Sequence, residues 1–136
     1  MNLDLLKQEL KIDEGIRNKP YADTVGKTTI GVGRNLTDVG LSNEEVDYLL
    51  NNDINKASKQ LFEALPWVVN LSDARQRALV NMAFNLGIKG LLGFINTLNL
   101  IQNGKYEEAS EAMLKSKWAS QVGVRAKRLS LMIKEG

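Results

Sequence analysis

Two carboxylates and a hydroxyl lie close together near the start of the chain. Glu14 is followed by Asp23 nine residues on and by Thr29 six further, within the stretch EGIRNKPYADTVGKTTIGVGR. Two carboxylates on different local structures meet different environments, so one can stay protonated while the other ionises. That is the equipment for cutting a glycosidic bond, which needs an acid on the leaving oxygen and a second carboxylate on the other face of the sugar. In that chemistry Glu14 is the acid, Asp23 directs a water at the anomeric carbon, and the Thr29 hydroxyl holds that water from the side. Spacing alone does not establish this, because paired acids of such separation are common and usually form a solvated surface. Composition narrows the chemistry further. The chain has no His and no Cys. The usual near-neutral base, the thiolate nucleophile and the usual metal ligand are therefore missing. Acid–base work at neutral pH falls to carboxylates, and no metal or organic cofactor is implied.

The elements that must hold these groups follow from local pattern. Leu3, Leu6 and Leu10 share one face of a helix over residues 2–14, and Gly15 stops it. Glu14 then sits at the helix C-terminus, where the negative end of the macrodipole disfavours a carboxylate, a tilt that suits a proton donor. Pro20, Gly26, Gly31 and Gly33 exclude helix from about residue 18 to 36. Tyr21 and Thr28-Thr29-Ile30 favour strand, with a turn at Val25-Gly26-Lys27. The expectation is a small antiparallel sheet with Asp23 near its first turn.

Ser42-Asn43-Glu44-Glu45 has the form of a capping box. Behind it Val46, Leu49, Leu50, Ile54, Ala57 and Leu61 keep helical spacing as far as Pro66. A helix of about 22 residues runs roughly 33 Å, long for a domain of this size and suited to a strut joining two lobes. Leu71-Ser72-Asp73 starts a further helix, apolar from Ala78 to Phe84 and closed by Gly87, which reads as the buried centre of a larger lobe. Shorter helices are expected at about 91–103, 105–116 and 123–134, with Trp118 filling core between the last two. The remaining acids read as caps or solvated faces: Asp13 points away from its neighbour Glu14, and Glu107, Glu108 and Glu111 lie among lysines.

The string IDEGIRNKPYADTVGKTTIGVGRNLT closely resembles the active-site segment of the phage-type lysozymes, the endolysins of the T-even type. The family pattern is Glu, eight residues, Asp, five residues, Thr, and it falls on Glu14, Asp23 and Thr29. The resemblance resumes in ALVNMAFNLG, GFINTL and KSKWASQVGVRAKR, so it covers nearly the whole chain. It implies an α+β fold, mostly α, two-lobed and lysozyme-like, with a small antiparallel sheet lobe and a helical lobe joined by a long helix. The 136 residues would form one such domain, the sheet lobe over about 15–55 and the helical lobe over about 1–14 plus 56–136. The activity implied is hydrolysis of the β-1,4 bond between N-acetylmuramic acid and N-acetylglucosamine in peptidoglycan, with an inverting outcome.

The same resemblance implies substrate contacts at Asn35, Phe84, Asn85, Thr97 and Arg125. Phe84-Asn85 match an aromatic–amide pair lining the family's cleft, and Thr97 matches a small hydroxyl residue on the opposite wall. Arg125 matches the arginine that pairs with the catalytic glutamate. The alternatives for these residues are core packing for Phe84, a helix cap for Asn85 and a surface charge for Arg125. The chain also departs from its relatives. Arg34 stands where they carry histidine, Asn35 replaces an apolar cleft residue and Ala112 replaces an asparagine. Several residues between strand and strut are absent, as is the extended C-terminal tail of longer relatives.

Composition sets the remaining bounds. A chain of 136 residues, 43% hydrophobic and 25% charged, is long enough for one domain with a core and short for two. No apolar run approaches the roughly 20 residues of a membrane span. MNLDLLKQELKIDEG mixes acids among its apolar residues and lacks the pattern of a secretory signal. The protein is therefore expected in the host cytoplasm on synthesis, reaching the wall after release through a separate membrane pore, as a monomer acting on peptidoglycan glycan strands without nucleic acid and without stable membrane insertion. From Ala112 to Gly136 there are six Lys or Arg against one acid, which can draw the protein toward an anionic polymer or membrane. Three rivals stand beside the hydrolase. A lytic transglycosylase cuts the same bond without water, a peptidoglycan-binding module keeps a cleft without turnover, and a membrane-disrupting role would reside in the basic terminal helix.

Overall fold

The computed structural model describes all of residues 1–136. Seven α-helices and a three-stranded sheet make a mostly helical α+β fold. The chain divides into two compact units, Met1–Tyr48 and Leu49–Gly136. The first helix groups with the sheet rather than with the later helices, and the boundary lies nearer the start of the chain than residue 55.

In the first unit, α1 spans Leu3–Glu14. Asn2 caps it, its Oδ1 accepting from Leu5 N at 3.0 Å, and Gly15 ends it at φ 77° while donating to Lys11 O. The left-handed φ is the conformation in which glycine costs least. No side chain of α1 is fully buried, although Leu6 is partly covered. β1 (Arg17–Ala22), β2 (Thr28–Gly31) and β3 (Arg34–Asn35) follow in antiparallel order β1-β2-β3. Tyr21 pairs with Thr29 and Ala22 with Thr28, but the register slips between Arg17 and Tyr21. Pro20 lies in that interval and has no N–H to give to the ladder. Thr29 pairs on its other side with Asn35, so it occupies the central strand and is buried, 4% exposed.

α2 spans Asn43–Ala64, 22 residues, and crosses the boundary between the units. Its start is the expected reciprocal cap: Glu45 N donates to Ser42 Oγ at 3.1 Å and Ser42 N to Glu45 Oε1 at 2.9 Å. Only Ala57 and Leu61, in its second half, are buried.

The second unit holds the hydrophobic core. A 3₁₀ turn over Pro66–Asn70 buries Val68. α3 (Asp73–Leu92) buries Ala78, Leu79, Met82, Ala83 and Leu91, and is capped by Ser72. Gly87 breaks it at φ 75° and ψ 161°, as a stop there predicts, but the helix resumes to Leu92. α4 (Ile95–Gln102), α5 (Tyr106–Leu114) and α7 (Val124–Glu135) pack in series, α5 on both α4 and α7, and α3 on α7. Leu79, Met82, Ile101, Met113, Leu129 and Ile133 are fully buried, each contributing about 1.5–3 kcal/mol by leaving water.

One further helix, α6 (Lys117–Val122), goes beyond the sequence expectation. Six residues are too few to show a period, although Ser116 caps it and Gly123 ends it. It buries Trp118, whose ring meets Phe94 edge-on with centroids 6.0 Å apart. Arg75 of α3 ties down the far end of α7. Its Nε donates to Ile133 O at 2.7 Å and its Nη2 to Lys134 O at 3.2 Å, with the guanidinium 3.3 Å above the Tyr106 ring. No single helix is long and apolar enough to cross a membrane.

Candidate active site

The first unit carries Glu14, Asp23 and Thr29 together. Glu14 is the last residue of α1 and is exposed. Its side chain lies over Gly33, in the turn between β2 and β3: a Cβ on Gly33 would fall 2.9 Å from Glu14 Oε2 and 3.3 Å from its carboxyl carbon. Asp23 opens the turn between β1 and β2 and is half-buried. Its Oδ1 accepts from Val25 N at 3.0 Å and from Lys27 N at 2.8 Å. Asp23 N in turn donates to Lys27 O at 2.9 Å. That same carbonyl accepts from Thr29 Oγ1 at 3.1 Å.

Lys27 therefore holds both groups through its backbone, its N–H on the aspartate and its C=O on aspartate and threonine alike. The turn fixes the Asp23 carboxyl relative to the Thr29 hydroxyl without using either group's full capacity. The Asp23 bonds fall on Oδ1, which leaves Oδ2 for another donor. Thr29 has given its only proton to Lys27, so toward a ligand its oxygen acts as an acceptor. Nothing in the residue type of Lys27 signals this role, because the groups it uses are common to every residue except proline.

Arg34 and Asn35 both serve the unit's internal structure. Arg34 Nη1 lies 2.7 Å from the Glu45 carboxylate and 3.2 Å from Gly40 O. Arg34 thereby ties β3 to the start of α2. The Arg34 guanidinium, with the backbone and hydroxyl of Ser42 behind it, holds the Glu45 carboxyl down at about 2. The pair also raises Arg34 above its ordinary value. Asn35 uses both ends of its amide on Asp38, Nδ2 donating to Oδ2 and Oδ1 accepting from Asp38 N, each at 3.0 Å.

The other residues expected to contact substrate lie in the second unit. Phe84 is 44% exposed on α3 and lines an open, largely apolar groove of about 610 Å³ with Leu50, Ile54, Val80, Asn81 and Arg125. Arg125, at the start of α7, is fixed on α3: Nε and Nη2 donate to Asn81 Oδ1 at 2.9 and 2.6 Å. Asn81 is a partner that sequence reasoning missed, since the two residues lie 44 apart in the chain. Asn85 accepts from Trp118 Nε1 at 2.8 Å through Oδ1, so its amide is oriented by α6 rather than spent on a helix end. Thr97 is 5% exposed, buried within α4. No three acids in the chain converge in a way that could hold a metal ion.

A family model described as phage lysozyme matches residues 11–132. The chain is 29% identical to "Probable T4-type lysozyme 1" of Dictyostelium discoideum over 161 aligned residues, covering 96% of this chain and 94% of that protein. It is 31% identical to "Probable T4-type lysozyme 2" of the same organism, with the same coverage of both chains. It is also 28% identical to the pre-baseplate central spike protein Gp5 of Enterobacteria phage T4, where the similarity takes in 96% of this chain but 28% of the longer protein. With a match running from Lys11 to Met132 that encloses Glu14, Asp23 and Thr29, the chain belongs to the phage lysozyme family of glycoside hydrolases.

Proposed function

We propose that the protein hydrolyses the β-1,4 bond between N-acetylmuramic acid and N-acetylglucosamine in peptidoglycan, with inversion at the anomeric carbon. The Glu14 carboxyl gives its proton to the glycosidic oxygen as the C1–O bond breaks. A water attacks C1 from the opposite face and passes a proton to Asp23. The Thr29 oxygen, able only to accept, takes a hydrogen bond from that water and so turns the water's lone pair toward the sugar. Turnover ends when Asp23 releases its proton to solvent and Glu14 regains one. The observation that carries this reading is the double hold of Lys27 on Asp23 and Thr29, 2.8 Å on the carboxylate and 3.1 Å on the hydroxyl. It leaves Asp23 Oδ2 and the lone pairs of Thr29 Oγ1 as acceptors for the water that the mechanism needs. The biological role is lysis of a bacterial host by a phage or prophage product, made in the cytoplasm and released to the wall through a separate membrane pore.

The test uses purified cell walls with Glu14→Gln and Asp23→Asn variants, and product analysis by NMR. Both variants are expected to lose clearing by 10²-fold or more, about 2.7 kcal/mol of transition-state stabilisation. The first product is expected to be the α anomer of a reducing sugar. Wild-type clearing by Glu14→Gln would end the enzymatic reading. A 1,6-anhydro sugar end would replace hydrolysis by transglycosylation, and a first-formed β anomer would exclude inversion.

A further inference from the structure

We infer that Gly33 is a positioning residue for the Glu14 carboxyl, its missing side chain making the seat in which the acid lies. The inference rests on the proposal that Glu14 is the acid. Gly33 has φ +68°, but backbone conformation does not single it out, since Gly31 at φ +71° and Gly26 at φ +82° share it. What sets Gly33 apart is the space beside it. A Cβ there would meet Glu14 Oε2 at 2.9 Å, Cδ at 3.3 Å and Cγ at 3.5 Å, whereas one on Gly31 or Gly26 would meet nothing within 4 Å.

The Glu14 side chain makes no hydrogen bond or ion pair within this unit, and a long exposed carboxylate left to itself samples many rotamers. Within the unit, packing along the bare Cα of Gly33 locates the end of its side chain. An alanine at 33 would force the carboxyl out by several tenths of an ångström or into another rotamer. Displacing a reacting group by about 1 Å can cost about 10²-fold in rate.

Gly31→Ala is the matched control, because it carries the same positive-φ strain two residues earlier, at the end of β2, without touching Glu14. Rates are measured on soluble, uncross-linked glycan strands well below each variant's melting temperature. Gly33→Ala is expected to lower kcat about 10- to 100-fold with KM within about twofold of wild type. Gly31→Ala, similarly destabilised, is expected to keep the wild-type kcat. If Gly33→Ala turns over like Gly31→Ala while Glu14→Gln is inactive, the seat is overturned and the acid stands. If Glu14→Gln is active, the assignment of the acid falls first.

A second measurement does not depend on the variant folding. In the wild-type protein, NOEs between the Glu14 Hγ protons and the Gly33 Hα protons, with unaveraged Glu14 side-chain couplings, are expected. Their absence, with couplings averaged over rotamers, would overturn the seat.

Discussion

Lys27 serves the site through its backbone and not through its ammonium, which instead lies 3.3 Å from Asp38. Its amide and carbonyl set where Asp23 and Thr29 stand, so the hydroxyl of Thr29 is the group whose removal is most informative. Thr29→Val keeps the β-branched shape that the central strand favours and removes the oxygen proposed to accept from the attacking water. The loss of its bond to Lys27 O should cost about 1 kcal/mol of stability. The expected fall in kcat is larger, about 10- to 100-fold, or about 1.4–2.7 kcal/mol. Thr29→Ser should retain most of the activity. Wall-clearing rates beside melting temperatures check this, and wild-type turnover by Thr29→Val would remove the hydroxyl from the mechanism. Gly33 belongs to the same scale, since its contribution is one absent methyl group beside one carboxyl.

At the scale of elements, the start of α2 is where charge and structure are most tightly linked. Glu45 closes the capping box with Ser42 and takes the Arg34 guanidinium at 2.7 Å, so a helix end and a strand share one carboxylate. Its folded value of about 2 lies below the ordinary 4.5. A depressed carboxyl contributes stability that is fully present above the unfolded value and is lost as pH falls through the folded one. The window is therefore about pH 4.5 down to about 2. Both side chains are more than a third exposed, so solvent screens the pair and its contribution is small. Melting temperatures of wild type and Glu45→Gln should differ most near about pH 5 and converge toward about pH 2. A difference that does not change with pH would show that the pair adds no charge-dependent stability.

The molecule as a whole distributes its core unevenly. Every buried hydrophobic side chain lies beyond Leu49, and in Met1–Tyr48 the one buried residue is Thr29. A unit of this size with no fully buried apolar side chain has little burial to set against its conformational entropy. It carries the proposed reacting groups all the same, on a hairpin turn and a helix end. Native-state hydrogen exchange should therefore show the amides of β1 to β3 opening at lower free energy than those of α3, α5 and α7. Equal protection across both units would contradict the uneven core.

The sequence by itself determined what depends on neighbours within a few residues. The stop of α1 at Gly15, the capping box at Ser42, the length of α2 and the turn that holds Asp23 all follow from periodicity, glycine conformation and side-chain-to-backbone bonds, which are local. The helix over 117–122 does not show in the sequence, because one and a half turns carry too little periodicity. The tertiary structure alone decided which distant groups meet. It set Glu14 over Gly33, Arg34 on Glu45, Arg125 on Asn81, Trp118 on Asn85, and Arg75 on carbonyls 58 and 59 residues away. It also buried Thr97, whose type alone suits a wall of a cleft as well as a core. Such pairings are fixed by how the core closes rather than by spacing in the chain, and a side chain's type does not record what stands opposite it.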